Sequence, residues 1–95
     1  MVSVIIPTYN RIATIARAVD SVLAQTYPDI ELIIADDGSS DGTCESLAGY
    51  GDRLRIVRQA NSGPSAARNL GARAARGEIL SFLDSDDSWL PDKIQ

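Results

Sequence analysis

Four short apolar runs alternate with three segments of helical pattern along this chain of 95 residues. The runs cover residues 2–6, 30–35, 53–58 and 79–83, and the first, second and fourth are nearly continuous in apolar side chains. Such runs are typical of strands that are covered on both faces. An alternation of strands and helices is typical of an α/β protein with right-handed crossovers. We therefore predict one domain with a parallel sheet of about four strands, in the order 3-2-1-4, and helices on both faces.

Capping and turn residues separate the helical segments from the strands. Apolar side chains recur at helical spacing over residues 12–23, and Asn10 is a candidate N-cap for this first helix. A short second helix is predicted over residues 43–48, where two glycines end it. The third helix should start at the Gly-Pro pair of residues 63–64, and its small side chains permit close packing on a sheet.

Polar residues follow three of the four apolar runs. They are Thr8 and Tyr9 after the first run, Asp36 and Asp37 after the second, and Asp84 and Asp86 after the fourth. The carboxyl ends of parallel strands share one edge of the sheet, and ligands bind there at the point where the strand order reverses. We therefore expect a ligand crevice beside the first strand, with residues 7–9 lying between two acidic turns.

The fourth run ends in the acidic sequence Asp-Ser-Asp-Asp at residues 84–87. Taken alone, such a sequence is more often a solvated turn that opens a helix, here at Ser88 or Pro91. Clustered carboxylates repel one another, however, so they need solvent or a cation nearby. Hard oxygen ligands at the tip of a strand suit Mg²⁺ or Mn²⁺ and, through the metal, a phosphate.

Composition excludes several classes of protein. The apolar fraction of 44% and the charged fraction of 23% are ordinary for a globular domain. The chain has no histidine and one cysteine, which excludes the usual zinc sites, histidine-based triads and an internal disulfide. The net charge of −4 argues against nucleic acid as a partner. No stretch is long and apolar enough for a membrane span, and we expect a cytoplasmic protein that reaches the inner membrane face only through sequence outside these residues.

Five segments, taken in order, resemble the family 2 glycosyltransferases of the GT-A fold. They are residues 2–11, 21–27, 31–43, 61–69 and 77–87. The resemblance implies a Rossmann-like nucleotide-binding half, with residues 1–95 forming the donor-binding part of a longer domain. It also implies an inverting transfer of a sugar from a nucleotide-diphospho-sugar, with UDP-sugars favoured, in cell-wall or polysaccharide biosynthesis.

The same resemblance assigns roles around the nucleotide base. Pro7, Thr8 and Tyr9 match a segment that frames the base, with the tyrosine ring over the uracil face. The second acid of the pair Asp36 and Asp37 matches an acceptor for the N3 hydrogen of the base, because an ionised carboxylate only accepts. Each residue also has an ordinary structural alternative: a half-buried aromatic for Tyr9 and capping of the following helix for the acidic pair.

Further roles concern the phosphates and the metal. Arg68 matches an arginine that approaches the donor phosphates or base, and a solvated helix arginine is the equal alternative. Asp84, Ser85 and Asp86 match the Asp-X-Asp motif: Asp84 would face the ribose or the metal, and Asp86 would bind the Mn²⁺ or Mg²⁺ that bridges the diphosphate. Asp87 would be a further ligand or a helix cap.

No catalytic residue is assigned within the 95 residues. The resemblance implies that the general base and the acceptor site lie in further sequence. We also expect self-association through the apolar edge formed by residues 79–83. One alternative function is a non-catalytic nucleotide-binding module. A second is a receiver-type, magnesium-binding signalling domain, although its acidic pair would follow the first strand.

Overall fold

The computed structural model describes residues 1–25 and 29–83. The strands are β1 (Val2–Thr8), β2 (Ile30–Asp36), β3 (Arg55–Arg58) and β4 (Ile79–Phe82), and the α-helices are α1 (Ile15–Leu23) and α2 (Pro64–Ala74). A 3₁₀-helical segment covers Glu45–Arg53. Strands and helical segments therefore alternate along the described chain, as predicted.

The four described strands form one parallel sheet in the order β3-β2-β1-β4. β1 pairs with β2 over seven residues, from Val2 opposite Ile30 to Thr8 opposite Asp36. On its other side β1 pairs with β4, and Ile5 lies opposite Phe82. The predicted strand order is confirmed, and the order reverses beside β1 as the crevice prediction requires.

Each face of the sheet carries its own apolar core. Alternate side chains of β1 point to opposite faces, so Val4 and Ile6 pack with α1 and the 3₁₀ segment while Ile5 packs under α2. Gly71 allows α2 to approach closely, because a Cβ there would lie 2.4 Å from Ile5 Cγ2. The sheet is thus covered on both faces, which accounts for its nearly continuous apolar strands.

The predicted start of the first helix is wrong by three residues. α1 begins at Ile15, its N-cap position is Thr14, and the Thr14 side chain makes no capping hydrogen bond. Asn10 instead has a left-handed backbone conformation, with φ 51°, and its side-chain Oδ1 accepts a hydrogen bond from Ser40 N at 2.8 Å. A residue that the sequence predicts as a helix cap thus joins the loop after β1 to the loop after β2. It can do so because Ser40, 30 residues away in sequence, is close in the fold.

The predicted second helix is a 3₁₀ segment, and it extends further than expected. It reaches Arg53 and is interrupted at Gly51, whose φ of 59° and ψ of −132° are not helical. A glycine adopts such angles at little steric cost. Because the 3₁₀ segment continues to Arg53, β3 starts at Arg55 rather than at residue 53.

Candidate functional site

An open cleft of about 510 Å³ lies at the carboxyl ends of β1 and β2. Its described lining is Pro7, Thr8, Tyr9, Arg11, Asp37, Asn61, Gly63, Pro64, Ala67 and Arg68. Five of these residues are ones for which a nucleotide contact is predicted from sequence. The cleft thus occupies the edge of the sheet where the strand order reverses, the usual ligand position in an open α/β fold.

The end of β1 forms one wall of the cleft. Thr8 is buried, and its hydroxyl donates to Ile6 O at 3.0 Å, so the polar end of this side chain is turned back to the strand. The backbone of Thr8 is held as well, because its carbonyl accepts from Asp37 N at 2.8 Å. Tyr9 is 46% exposed, which leaves much of its surface open to a ligand.

Asp37 holds the opposite wall of the cleft in place. Its Oδ1 accepts from Gln59 Nε2 at 2.8 Å and from Ser62 N at 2.7 Å. Its Oδ2 accepts from Asn61 Nδ2 at 3.2 Å and from Gly63 N at 3.0 Å. A carboxylate offers about four acceptor positions, and these four bonds use them. The segment that leads into α2 is therefore built around one buried charge.

These bonds lower the pKa of Asp37. Burial by itself raises this pKa, but hydrogen bonds from Ser62 N, Gln59 and Gly63 N favour the charged form and outweigh it. Asp37 is therefore an ionised group near neutral pH. Because its lone pairs are occupied and its basicity is low, it is poorly suited to accept a proton from a substrate hydroxyl.

The structure does not bring Asp36 into the cleft. Its side chain has no exposed surface, and it accepts hydrogen bonds from Ser39 Oγ at 2.5 Å and from Ser39 N at 3.0 Å. Arg58 Nε lies 3.6 Å from Asp36 Oδ2. Consecutive residues at the end of a strand point to opposite sides. Of the predicted acidic pair, only Asp37 therefore lines the cleft.

Two arginines give the cleft a positive character. Arg68 is half-buried on α2, and Arg11 is exposed in the loop after β1. The only carboxylate in the described lining is Asp37, whose acceptor positions are filled from within the protein. The described lining therefore has two guanidinium groups and one carboxylate that is already occupied, and this combination favours an anionic ligand.

Half of the residues in the described lining were not predicted as individual site residues from the sequence. The missed residues are Arg11, Asn61, Gly63, Pro64 and Ala67. All five lie inside two of the segments that carry the family resemblance, residues 2–11 and 61–69. The family resemblance of these two segments is therefore the signal that could have identified the five residues. No property of any one of them by itself indicated a cleft.

The predicted metal residues Asp84 and Asp86, together with Ser85, lie outside the described residues. Leu83 N donates to Ile5 O at 3.1 Å, so the chain runs beside β1 up to residue 83. Within residues 1–25 and 29–83, no three histidine, cysteine, aspartate or glutamate side chains are grouped so that they could hold a metal ion. In the same residues, no helix has the length and hydropathy to cross a membrane.

Known proteins similar to this chain are glycosyltransferases. An uncharacterized glycosyltransferase of Rickettsia felis is 49% identical over 99% of the chain. The structure of S. aureus TarS 1-349 in complex with UDP matches 98% of the chain with a TM-score of 0.91 and 33% identity. The mannosyltransferase PcManGT from Pyrobaculum calidifontis, in complex with GDP-Man and Mn²⁺, matches 93% with a TM-score of 0.85 and 33% identity.

The chain corresponds to only a part of each of these proteins. It spans 16% of the Rickettsia protein, 29% of the TarS chain and 28% of the PcManGT chain. The chain thus matches one region of larger proteins. Residues 3–95 match the family described as glycosyl transferase family 2, and the chain belongs to that family.

Proposed function

We propose that this chain binds the nucleotide part of a nucleotide-diphospho-sugar and forms the donor-binding part of an inverting glycosyltransferase. The observation that carries the proposal is the cleft beside β1, which combines an exposed tyrosine with two arginines and a carboxylate already satisfied by protein donors. Family membership and the UDP and GDP-Man complexes of similar proteins support it. For the whole protein, we propose a nucleotide-diphospho-sugar as the donor and inversion as the stereochemical outcome.

In this proposal the base lies against Tyr9 and the phosphates lie toward the arginines. An aromatic ring offers a large flat surface for a base at low cost in side-chain entropy. Arg68 and Arg11 present planar donors that match phosphate oxygens. Pro7 and Thr8 frame the base through their backbone and apolar atoms, because the Thr8 hydroxyl is occupied by Ile6 O.

We favour uracil as the base because Asp37 lies in the cleft as an acceptor. To bond with Asp37, the N3 hydrogen of uracil has to take the place of a donor that is present in the free protein. The Asn61 amide is suited to leave, since its bond to Oδ2 is the longest of the four and Asn61 is exposed. The Asn61 amide would then be available to a carbonyl oxygen of the same base.

The metal requirement is also a proposal. Asp84 and Asp86 would hold Mn²⁺ or Mg²⁺, and an oxygen-only donor set is expected because the chain contains no histidine. A bound ion of this kind would stabilise negative charge on a nucleoside diphosphate leaving group. The last described residue before these carboxylates, Leu83, lies beside β1, where Leu83 N donates to Ile5 O.

The general base is proposed to lie outside the described residues. Asp37 is the one carboxylate in the described lining, and its occupied lone pairs and lowered pKa do not suit proton abstraction. A non-catalytic nucleotide-binding module remains the alternative, and release of sugar from a UDP-sugar by the whole protein separates it from an enzyme. A receiver-type domain is disfavoured because the described acidic pair follows β2 rather than β1. A cytoplasmic location stays a prediction.

Titration calorimetry with UDP, GDP and CDP, each with and without Mn²⁺, tests the proposal. We expect UDP to bind most tightly and Mn²⁺ to strengthen its binding. Asp86→Ala should abolish the strengthening by Mn²⁺, whereas Asp52→Ala, at an exposed residue outside the cleft lining, should behave as the wild type. Absence of nucleotide binding would contradict the proposed function. Binding that is unaffected by Mn²⁺ and by Asp86→Ala would contradict the metal assignment alone.

A further inference from the structure

Three consecutive backbone amides in the loop after β1 donate to side chains of the segment after β2. Asn10 N donates to Ser39 Oγ at 2.9 Å, and Arg11 N donates to Thr43 Oγ1 at 3.0 Å. Ile12 N donates to Asp41 Oδ2 at 3.2 Å. The loop therefore rests on side chains that lie about 30 residues away in sequence.

The two hydroxyl groups are themselves oriented by carboxylates. Ser39 Oγ donates to Asp36 Oδ1 at 2.5 Å, and Thr43 Oγ1 donates to Asp41 Oδ1. A hydroxyl has one hydrogen, so once it donates to a carboxylate, its lone pairs face the amides of the loop. Asp36 and Thr43 are fully buried, which restricts the alternatives open to these groups.

Asn10 closes the contact from the other side. Its φ of 51° places it in the left-handed region that asparagine adopts more readily than most residues. Its side-chain Oδ1 accepts from Ser40 N at 2.8 Å, in addition to its own amide bond to Ser39. The residues on either side of it, Tyr9 and Arg11, both line the cleft. The backbone conformation of Asn10 therefore helps to set the directions in which the Tyr9 and Arg11 side chains extend from the loop.

We propose that Asn10, Ser39, Asp41 and Thr43 are positioning residues for the nucleotide cleft, which hold Tyr9 and Arg11 in the binding-competent arrangement. This inference rests on the proposed function, because it assumes that Tyr9 and Arg11 contact the nucleotide. Asp36 has the same role through Ser39, which accounts for its burial outside the cleft.

A comparison of Thr43→Val with Thr43→Ser tests the contribution of the Thr43 hydroxyl. Valine keeps the shape of the side chain but leaves Arg11 N without its acceptor, whereas serine keeps the acceptor. We expect Thr43→Val to speed hydrogen exchange at the amides of residues 11 and 12 but not at Ile33 and Ile34 of β2. If only about a tenth of the molecules keep the loop in the binding-competent arrangement, the apparent Kd for UDP rises about tenfold. Thr43→Ser should retain the behaviour of the wild type in both measurements.

A double-variant comparison separates positioning from a general loss of stability. In a background that carries Tyr9→Ala and Arg11→Ala, Thr43→Val should cause no further loss of UDP affinity, because the residues it positions are gone. An equal loss in both backgrounds would overturn the inference, as would unchanged exchange at residues 11 and 12. Failure of the wild type to bind any nucleotide would contradict the proposed function instead. In that case, hydrogen exchange at residues 11 and 12 would still show whether the Thr43 hydroxyl holds the loop in place.

Asn10→Gly and Asn10→Ala provide a second pair if Thr43→Val does not fold. Glycine tolerates φ 51° but lacks Oδ1, whereas alanine lacks Oδ1 and disfavours this φ. We expect faster exchange at residues 10–12 and weaker UDP binding for both variants, with the larger effect for alanine. Equal affinity of the wild type and both variants would overturn the role of Asn10.

Discussion

Asp37 shows how one residue serves both the fold and the cleft. It lies in the cleft lining, yet its carboxylate binds four donors of the segment that leads into α2. Two of these donors are the consecutive amides of Ser62 and Gly63. The charge also lies next to the positive N-terminal end of α2, which favours an anion. Removal of this carboxylate should therefore loosen one wall of the cleft.

At the scale of the residue, we predict that Asp37→Asn lowers the free energy of unfolding at pH 7 by about 1–3 kcal/mol, the usual cost of disrupting hydrogen bonds to a buried charged group. The pKa of Asp37 is lowered in the folded state, so its stabilisation is complete above the ordinary pKa of 3.8 and is lost as pH falls through the lower folded value. The difference between variant and wild type should thus shrink below about pH 4.

Urea unfolding between pH 7 and pH 2.5 measures both effects. Asp52→Asn is the matched control, because Asp52 is exposed and lies outside the cleft lining. We expect this control to track the wild type throughout. A difference for Asp37→Asn that stays constant as the pH falls would mean that ionisation of Asp37 does not stabilise the fold.

At the scale of the element, the packing of α2 depends on one glycine. A Cβ on Gly71 would lie 2.4 Å from Ile5 Cγ2 and 3.4 Å from Ala35 Cβ. The first distance is far below van der Waals contact, and both neighbours are buried in the sheet. α2 also carries Arg68 and follows the segment held by Asp37. A shift of this helix would therefore change the cleft as well as the core.

We predict that Gly71→Ala lowers the free energy of unfolding by about 1–3 kcal/mol, because overpacking outweighs the better helix propensity of alanine. We also expect it to weaken UDP binding by moving Arg68. Gly49→Ala is the matched control, since a Cβ at Gly49 meets no atom within 4 Å. Thermal unfolding and calorimetry check the two effects, and a Gly71→Ala variant as stable as the wild type would contradict the close approach of α2.

At the scale of the whole molecule, the two edges of the described sheet differ. The β3 edge places Arg55 and Arg58 among its apolar residues, and such charges discourage pairing with another strand. The β4 edge exposes Ile79, Leu80 and Phe82, which are 60%, 42% and 44% exposed. An apolar edge without charges can pair with a second copy of the chain. The prediction of self-association through β4 follows from this asymmetry.

We expect the 95-residue chain to self-associate in a concentration-dependent way in sedimentation velocity. Ile79→Lys combined with Phe82→Lys should shift the chain toward monomer. Ile56→Lys, on the β3 edge, is the matched control because Ile56 is 37% exposed, and it should leave the association unchanged. A wild type that sediments as a monomer at all accessible concentrations would contradict the prediction.

Much of the fold was predictable because it depends on local patterns. The apolar runs and the Gly-Pro start of α2 each indicated an element, and parallel topology brings the ends of those elements to one edge. The start of α1 was not predictable in this way. Asn10 is an equally good N-cap and loop residue by propensity, and its contact with Ser40 depends on the packing of a distant segment.

By itself, the sequence determined the alternation of strands and helical segments, the strand order, the family and the edge where the cleft lies. Only the tertiary structure decided which further residues line the cleft and which donors hold its carboxylate. Asp36 and Asp37 are identical in type and adjacent in sequence, yet one is buried against Ser39 and the other holds the segment from Gln59 to Gly63. The physical reason is that a strand sends neighbouring side chains to opposite sides. Their partners then come from loops that only the folded sheet brings together.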